Sequence, residues 1–346
     1  MGICVKPKLT SQKQPLKPLN LYENDGMKVL ITGATGLVGQ AIVKVLHSKG
    51  IPVNYLTTSR DKISSSEDFQ GFYWNPSKGE IDLACFDQVQ AIINLAGTSI
   101  AKRWTPKHKK RVLSSRMDSL RTLRKGLEQV GASEVECLVS ASAIGIYPDS
   151  LSKFYDEHET ALANGFLGNV VQKWEAEADT FKSLGAVVSK VRIGVVLSTE
   201  GGALPKMAIP VKNFVGAPLG SGDQWQSWIH IEDLAQLFIF IVENNLKGTF
   251  NAVAPNPVTN IKMTKELARV LDRPLWLPHV PKLVLKMALG KMSQLLLDSQ
   301  RVSSKKIEKA GFAFQYCNIC TALENLYSTE KEIAVPAVET AEKEIV

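Results

Sequence analysis

The sequence has no apolar run long enough to cross a lipid bilayer, since the longest one covers only residues 234–242. Its first residues carry lysines where a secretory signal peptide needs an apolar stretch. We therefore expect a cytoplasmic protein without a membrane partner. Internal repeats are also absent from the sequence, which argues against a solenoid.

Cysteine is scarce, and the five cysteines do not form a disulfide pattern. They are odd in number and lie mostly in apolar runs, which is typical of a reducing compartment. Cys317 and Cys320 form one C-x-x-C motif, but a zinc site needs a second pair of ligands nearby. We therefore predict free thiols and no metal site.

Acidic residues are fewer than basic ones: 34 Asp and Glu face 41 Lys and Arg, which gives a formal net charge of +7. Much of the excess lies in residues 1–26 and 102–111. Such a basic stretch suits nucleic acid, an anionic membrane or a small ligand that carries phosphate. No nucleic-acid-binding fold accompanies it and few aromatic residues interleave with it, so we predict a small-molecule ligand and no nucleic acid. An RNA-binding protein that uses this stretch is the alternative.

Short apolar runs alternate with helical stretches from Met27 onward. The predicted strands are 28–32, 53–57, 71–74, 91–95, 137–142, 187–193 and 250–253. The predicted helices are 37–49, 106–129, 165–184 and 231–244. Because parallel strands buried on both faces need helical crossovers, this order predicts an α/β fold with a doubly wound parallel Rossmann sheet.

Two segments interrupt the alternation after late strands, where insertions lie at the ligand-binding edge of an open sheet. They predict a small, mainly helical substrate lobe. The predicted divisions are a flexible segment over 1–26, a Rossmann domain over 27–200 and 229–257, the lobe over 201–228 and 258–326, and a tail over 327–346.

Three glycines spaced G-x-x-G-x-x-G lie between the first strand and the first helix. Gly33 allows a tight turn, Gly36 allows the backbone to approach a pyrophosphate, and Gly39 allows the helix to pack close to the sheet. The free N–H groups and the dipole of the helix start then face the phosphates. The residues predicted to hold the pyrophosphate are Gly33, Thr35, Gly36, Leu37, Val38 and Gly39.

The end of the second strand lacks the acidic residue that would bind the ribose 2′-hydroxyl of NAD. The chain reads Thr57-Thr58-Ser59-Arg60 there instead. A hydroxyl followed by a guanidinium suits a 2′-phosphate, so we predict NADP(H) as the cofactor. Asp61 is one residue further on, and a ribose contact from it would favour NAD(H).

Further motifs follow in a fixed order: Asn94-Leu95-Ala96-Gly97, Ser140-Ala-Ser142-Ala-Ile-Gly-Ile-Tyr147, Arg192-Ile-Gly-Val-Val196, Gly220-Ser-Gly, Trp228-Ile-His-Ile-Glu-Asp233 and Asn251-Ala-Val-Ala-Pro-Asn-Pro257. With these, the chain resembles the epimerase-like atypical short-chain dehydrogenases, often called family 39U, from Met27 to about Leu326. The resemblance implies an extended Rossmann domain, a C-terminal lobe and NADP. The cofactor contacts that it implies are Ser59, Arg60, Leu95, Ala96, Gly97, Arg116, Val196 and, as a weaker match, Arg111.

Short-chain dehydrogenases generally combine a Ser or Thr with Tyr-x-x-x-Lys, in which the lysine lowers the pKa of the tyrosine. In the helix that should carry this pair, Leu167 and Val171 occupy the two positions. The Tyr327–Lys331 match lies beyond the last predicted packed element, and we interpret it as coincidence. Ser142 and Tyr147 are the candidate catalytic residues, with strand capping for Ser142 and packing for Tyr147 as the alternative.

Three further polar residues near the sheet edge attract attention. We expect His230 to be a strand residue and Asp233 to cap the next helix, both in structural roles. Arg192 either holds an anion or pairs with a carboxylate.

The leading hypothesis is an NADP(H)-binding oxidoreductase or epimerase-like enzyme acting on a small polar substrate. The alternative is a catalytically silent protein in which NADP(H) controls shape or partner binding. The oligomeric state stays open, with a homodimer as one option.

Overall fold

The computed structural model describes residues 28–131 and 134–333. The predictions for residues 1–26 and for the end of the tail, 334–346, lie outside the described residues. None of the helices in the described part of the chain combines the length and apolar character needed to cross a membrane.

The strands bury short apolar runs, as in β1, where four of five residues are fully buried. Their bounds are β1 Lys28–Thr32, β2 Val53–Thr57, β3 Ser65–Ser66, β4 Phe69–Asn75, β5 Glu80–Ile81, β6 Val89–Asn94, β7 Cys137–Ala143, β8 Phe154–Tyr155, β9 Val187–Ile193, β10 Val195–Leu197, β11 Trp225–Gln226, β12 Trp228–His230, β13 Gly248–Ala252, β14 Val258–Thr259 and β15 Arg301–Val302.

The main sheet has the order β13-β9-β7-β6-β1-β2-β4-β3, with β5 paired to β4. Its six long neighbour pairs, from β13–β9 to β2–β4, are all parallel, whereas the short strands β3 and β5 pair antiparallel with β4. The order reverses direction at β1, between β6 and β2. In an open α/β sheet this reversal places a crevice at the carboxyl ends of the strands.

The helices are α1 Leu37–Ser48, α2 Pro106–Val130, α3 Phe166–Asp179, α4 Leu204–Lys212, α5 Ile231–Glu243, α6 Asn260–Val270, α7 Lys282–Leu289, α8 Gln294–Leu297, α9 Lys305–Lys309 and α10 Ile319–Ile333. The first begins at Leu37, with Gly36 as its N-cap, after a four-residue turn that follows β1. The second is capped by the Thr105 hydroxyl, which accepts from the His108 N–H. Because α1 packs on α5 and α2 packs on α3, both faces of the sheet are covered.

The predicted doubly wound parallel sheet is confirmed, with small differences at the ends of elements. The strand predicted over 71–74 begins two residues earlier, at Phe69, because Phe69 and Gln70 also pair with β2. The helix predicted over 165–184 ends at Asp179 and continues as a tight 3₁₀ turn to Leu184.

A second buried apolar cluster forms beyond the sheet from α4, α6 and α10. The last helix ends at Ile333, so it extends beyond residue 326, the predicted end of the lobe. Tyr327, only 5% exposed, packs in this cluster. The prediction that Tyr327 lies beyond the last packed element is therefore wrong, while the division into domain and lobe stays a prediction.

Candidate functional site

The glycine-rich turn after β1 depends on two close backbone approaches. Gly33 has φ +77°, and its carbonyl accepts from the Gly36 N–H at 3.0 Å. A Cβ on Gly39 would lie 2.2 Å from the Gly33 carbonyl oxygen. Side chains at Gly33 and Gly39 are therefore excluded by the fold itself.

Gly36 is different, because its backbone (φ −86°, ψ 169°) suits any residue. A Cβ there would meet only the Gly33 carbonyl oxygen, at 3.3 Å. No side chain caps the N–H groups of the first turn of α1, and that turn holds no acidic residue. The uncapped helix start beside Leu37 and Val38 fits a diphosphate, whose charge the N–H groups and helix dipole would stabilise. Thr35 is exposed at the same turn.

A row of buried hydrogen bonds fixes the carboxyl ends of β1, β6 and β7. The Thr32 hydroxyl donates to Asn94 Oδ1 at 2.8 Å, and Asn94 Nδ2 donates to the Ser140 hydroxyl at 3.2 Å. The Thr32 hydroxyl also accepts from the N–H groups of Leu95 and Ala96, both at 3.1 Å. This row holds the loop after β6 against the glycine-rich turn.

Gly97 continues this loop and lies against Arg116 of α2. A Cβ on Gly97 would lie 3.0 Å from Arg116 Cζ. The guanidinium donates to the carbonyls of Thr98 and Val112 and lies 4.8 Å from the centre of the Trp174 ring. Burial lowers the pKa of Arg116 to about 10, so the side chain stays charged at neutral pH. Because the described residues offer Arg116 no carboxylate partner, it can bind an anion beside Gly97.

The end of β2 presents a hydroxyl and a guanidinium. Thr57 is buried, and its hydroxyl oxygen accepts from the Ser59 N–H at 3.2 Å. Arg60 is exposed and lies 4.2 Å from the centre of the Tyr73 ring. Stacking on the tyrosine leaves the edge of the guanidinium available for a phosphate, to which it can donate two hydrogen bonds.

The segment after β10 lies against the start of α1. A Cβ on Gly202 would lie 3.3 Å from Leu37 Cδ2 and 3.9 Å from the Val196 carbonyl oxygen. Val196 thus lies near the start of α1, with its side chain packed against the main core. Arg111, another predicted cofactor residue, is exposed on the first turns of α2.

The positions of the usual Tyr and Lys are apolar in space as well as in sequence. Leu167 faces Gly145, whose Cβ would lie 3.6 Å from Leu167 Cβ. Val171 is 3% exposed and packs in a cluster that includes Ile144 and Tyr147. Neither side chain can carry a proton.

Ser142 belongs to a buried polar network. Its hydroxyl donates to Glu175 Oε1 at 2.6 Å. Glu175, on α3, also accepts two hydrogen bonds from Arg192 of β9, at 2.8 Å and 2.9 Å. Burial alone would lower the pKa of Arg192, but the hydrogen bonds to Glu175 raise it above its ordinary value. Of the two roles predicted for Arg192, the structure has the pairing with a carboxylate.

Tyr147 closes the same network and is only 1% exposed. Its hydroxyl accepts from Arg192 Nη1 at 2.9 Å and donates to Asn251 Oδ1 at 2.8 Å. Burial raises the pKa of Tyr147 to about 12, because it disfavours the phenolate more than Arg192 favours it. The Tyr147 hydroxyl thus has both a donor and an acceptor within the fold, and a catalytic role for Tyr147 stays a prediction.

His230, not Asp233, caps α5. The ring nitrogen Nδ1 of His230 accepts from the Glu232 N–H, and burial lowers the pKa of His230 to about 4. The Asp233 carboxylate instead accepts from the backbone N–H groups of Gln315 and Tyr316. The prediction of Asp233 as the cap is wrong, because its carboxylate holds a distant segment.

Sequence reasoning missed Glu175 and Asn251 as members of the network. Glu175 lies outside the motifs identified in the sequence, and Asn251 lies 104 residues from Tyr147. A buried Arg at the end of a strand was the one available signal, because such a charge needs a carboxylate partner.

Comparison with known proteins adds to this geometry. The model of the NAD dependent epimerase/dehydratase family matches residues 29–166, and a domain of unknown function, DUF1731, matches residues 280–326. An epimerase family protein of Staphylococcus haemolyticus is 40% identical over 300 residues, covering 86% of this chain and 98% of that protein.

Solved structures are similar over the same extent. The crystal structure of the human epimerase family protein SDR39U1 with NADPH matches with a TM-score of 0.76 and 29% identity, covering 87% of this chain and 99% of that chain. UDP-glucose 4-epimerase from Thermotoga maritima, solved with UDP-glucose, matches with a TM-score of 0.71 and covers 89% of this chain and 100% of that chain. At 14% identity, the latter supports the fold alone.

Proposed function

Because the chain belongs to the epimerase family of atypical short-chain dehydrogenases, and has the NAD(P)-binding fold of that family, we propose that it is an NADP(H)-dependent oxidoreductase. Its substrate would be small and polar. The observation that carries the proposal is the uncapped start of α1 after β1, with Arg60 following the end of the neighbouring parallel strand β2.

The choice of NADP(H) rests on charge. The chain ends β2 with Ser59 and Arg60, and Arg116 lies without a carboxylate partner in the described residues beside Gly97. These positive groups suit the diphosphate and the 2′-phosphate together, whereas an acidic ribose ligand would repel the latter. The human relative was crystallised with NADPH, which agrees with this choice.

The Arg60→Gln variant tests the choice of cofactor. We expect NADPH to bind the variant about 10- to 100-fold more weakly, because a charge-assisted pair contributes about 1.5–3 kcal/mol, while NADH affinity changes little. Quenching or enhancement of NADPH fluorescence gives the dissociation constants. Lys62→Gln, an exposed charge removed from the same turn, is the control. Equal losses for NADPH and NADH would contradict the proposal.

For the chemistry, we propose that bound NADPH supplies the hydride and that Ser142 is the substrate-facing polar group. Its proton points to Glu175, so its oxygen would accept from a hydroxyl of the substrate beside the carbonyl that is reduced. Hydride transfer turns that carbonyl into an alkoxide, and the proton that completes the alcohol would come from water, because neither Leu167 nor Val171 can donate one. Tyr147 is a positioning residue that orients Arg192 and Asn251.

A second candidate function is a catalytically silent protein whose partner binding responds to NADP(H). It is favoured by Leu167 and Val171, and by a network in which Ser142 and Tyr147 both donate to other side chains. NADPH oxidation with a panel of aldehydes, ketones and sugar nucleotides separates the two. Turnover that Ser142→Ala reduces at unchanged NADPH affinity supports the oxidoreductase, and no turnover with full NADPH binding supports the silent protein.

We also propose a cytoplasmic location, which the buried free thiols of Cys85 and Cys137 support. A homodimer is retained as the oligomeric proposal. Analytical ultracentrifugation of the full chain with and without NADPH would decide it.

A further inference from the structure

The largest concentration of positive charge in this chain lies in one stretch. Residues 88–117 contain no Asp or Glu, and they contain seven basic residues, as many as the formal net charge of +7 of the whole chain. The rest of the chain is therefore neutral on balance. We call these seven residues the basic rim: Lys102, Arg103, Lys107, Lys109, Lys110, Arg111 and Arg116.

The basic rim is not neutralised by contacts within the fold. Within the described residues, none of its members has a carboxylate partner at ion-pair distance. Lys109 lies instead over two aromatic rings, 5.6 Å from the centre of Trp104 and 4.9 Å from that of Phe166. Lys107 and Lys110 are exposed on the first turns of α2. The positive charge of the basic rim is therefore not offset by carboxylates of the fold, and its field extends into solvent.

The rim lies beside the candidate cofactor site. The loop after β6 folds back along the first three turns of α2: the Thr98 N–H donates to the Ser115 hydroxyl at 2.9 Å, and His108 Nε2 lies 3.0 Å from the Ser99 carbonyl oxygen. At a rise of about 1.5 Å per residue, Lys107 and Lys110 lie about 9–14 Å along the helix from Arg116. That is within about two Debye lengths at physiological ionic strength.

We propose that the basic rim captures the dinucleotide by long-range electrostatic steering, and that it selects NADP(H) over NAD(H) in the rate of association. This inference rests on the proposed cofactor function. NADPH carries a charge of about −4 and NADH about −2, because a phosphate monoester adds −1.5 to −2. The encounter rate of NADPH is therefore raised more, without any direct contact between the exposed lysines and the cofactor.

The test is the double variant Lys107→Glu/Lys110→Glu in the full chain. Stopped-flow fluorescence on mixing with NADPH gives the association and dissociation rate constants at 0.01 M and 0.1 M salt. Screened Coulomb interactions at about 15 Å predict an association rate about fivefold lower than native at 0.1 M salt, and more than tenfold lower at 0.01 M. The dissociation rate stays within twofold of native, and NADH shows a smaller loss.

Lys125→Glu/Lys265→Glu is the matched control, because it reverses two exposed charges away from the rim. Lys125 lies near the end of the same helix, which leads back to the start of β7 at the amino ends of the parallel strands, the edge opposite the candidate cofactor site. We expect native rate constants for this variant.

Three outcomes overturn the proposal. An association rate unchanged in the rim variant removes steering, and a faster dissociation at native association rate makes the two lysines direct contacts. An equal loss of association rate in the control variant would mean that only the net charge of the chain matters, and not the position of the rim. In each of these cases the native chain still binds NADPH. A native chain that binds no NADPH instead refutes the proposed function, and the inference with it.

Discussion

Gly36 allows the proposed phosphate-binding role of the turn to be separated from its folding role. Its backbone conformation is open to any residue, and its Cβ would meet only one backbone oxygen, at 3.3 Å. Gly36→Glu should therefore fold, with a free energy of unfolding within about 1 kcal/mol of the native value. Gly39→Ala is the opposite case, because its Cβ would lie 2.2 Å from the Gly33 oxygen and 2.6 Å from Ala34 Cα.

The expected loss of affinity follows from the contacts that the introduced carboxylate would displace in Gly36→Glu. A charged hydrogen bond contributes about 1.5–3 kcal/mol, and a diphosphate on the first turn of α1 would accept at least two. Their loss costs about 3–6 kcal/mol, which is a 10²- to 10⁴-fold higher dissociation constant for NADPH. Gly39→Ala should instead lower stability by about 1–3 kcal/mol or more, since both contacts are with backbone.

Fluorescence titration with NADPH measures the first effect, and urea unfolding monitored by circular dichroism measures the second. The reasoning fails if Gly36→Glu binds NADPH with native affinity. It also fails if Gly36→Glu unfolds as easily as Gly39→Ala, because Gly36 would then be required by the fold.

Three further predictions concern the buried polar groups. Glu175→Gln should lower the free energy of unfolding by about 3–5 kcal/mol, because it leaves Arg192 charged and buried; Glu175→Leu/Arg192→Met should be less destabilised in urea than Glu175→Gln, and a more unstable double variant would refute this. Tyr147→Phe should cost about 1–3 kcal/mol, because Arg192 Nη1 and Asn251 Oδ1 each lose the hydrogen bond to the Tyr147 hydroxyl, with NADPH affinity unchanged; a native urea midpoint would contradict the buried network. The pKa of His230 is about 4 in the fold, below the ordinary 6.5, so the unfolded chain binds the proton more readily and stability falls as the pH drops through this window. Urea titrations should give about 2 kcal/mol less stability at pH 5 than at pH 7, and His230→Asn, which keeps a capping side chain, should reduce this difference; an equal difference in the variant would exclude His230.

The features that could be predicted from the sequence are those that depend on residues close together in the chain. The turn from Gly33 to Gly39 is such a feature, because each glycine answers a demand of the local strand–turn–helix geometry. The end of β2 is another, since the residue after a strand lies at the sheet edge whatever the rest of the chain does. The positions of this turn and of the end of β2 both follow from the alternation of strand and helix, which the structure confirms.

The buried network could not be predicted from the sequence, because its members are far apart in the chain. Tyr147 and Asn251 are 104 residues apart, and only the order of β7, β9 and β13 in the sheet brings them together. The prediction of the residue that caps α5 was wrong for a related reason. Asp is a commoner cap than His, but the Asp233 carboxylate is used by backbone N–H groups 82 and 83 residues away.

The missing Tyr–Lys pair and the buried network are two consequences of one helix face. Leu167, Val171 and Glu175 are spaced four residues apart on α3, so they lie in a row along the side that faces β7. Val171 packs with Ile144 and Tyr147, Leu167 lies against Gly145, and the carboxylate one turn later pairs with the buried Arg192. A lysine in place of Val171 would put an ammonium in an apolar cluster at a position only 3% exposed, where its charged form is disfavoured by burial. Restoring the pair by substitution alone would therefore cost stability without recreating the polar surroundings in which a lysine lowers the pKa of a tyrosine, and the loss of the pair is built into the core of this chain.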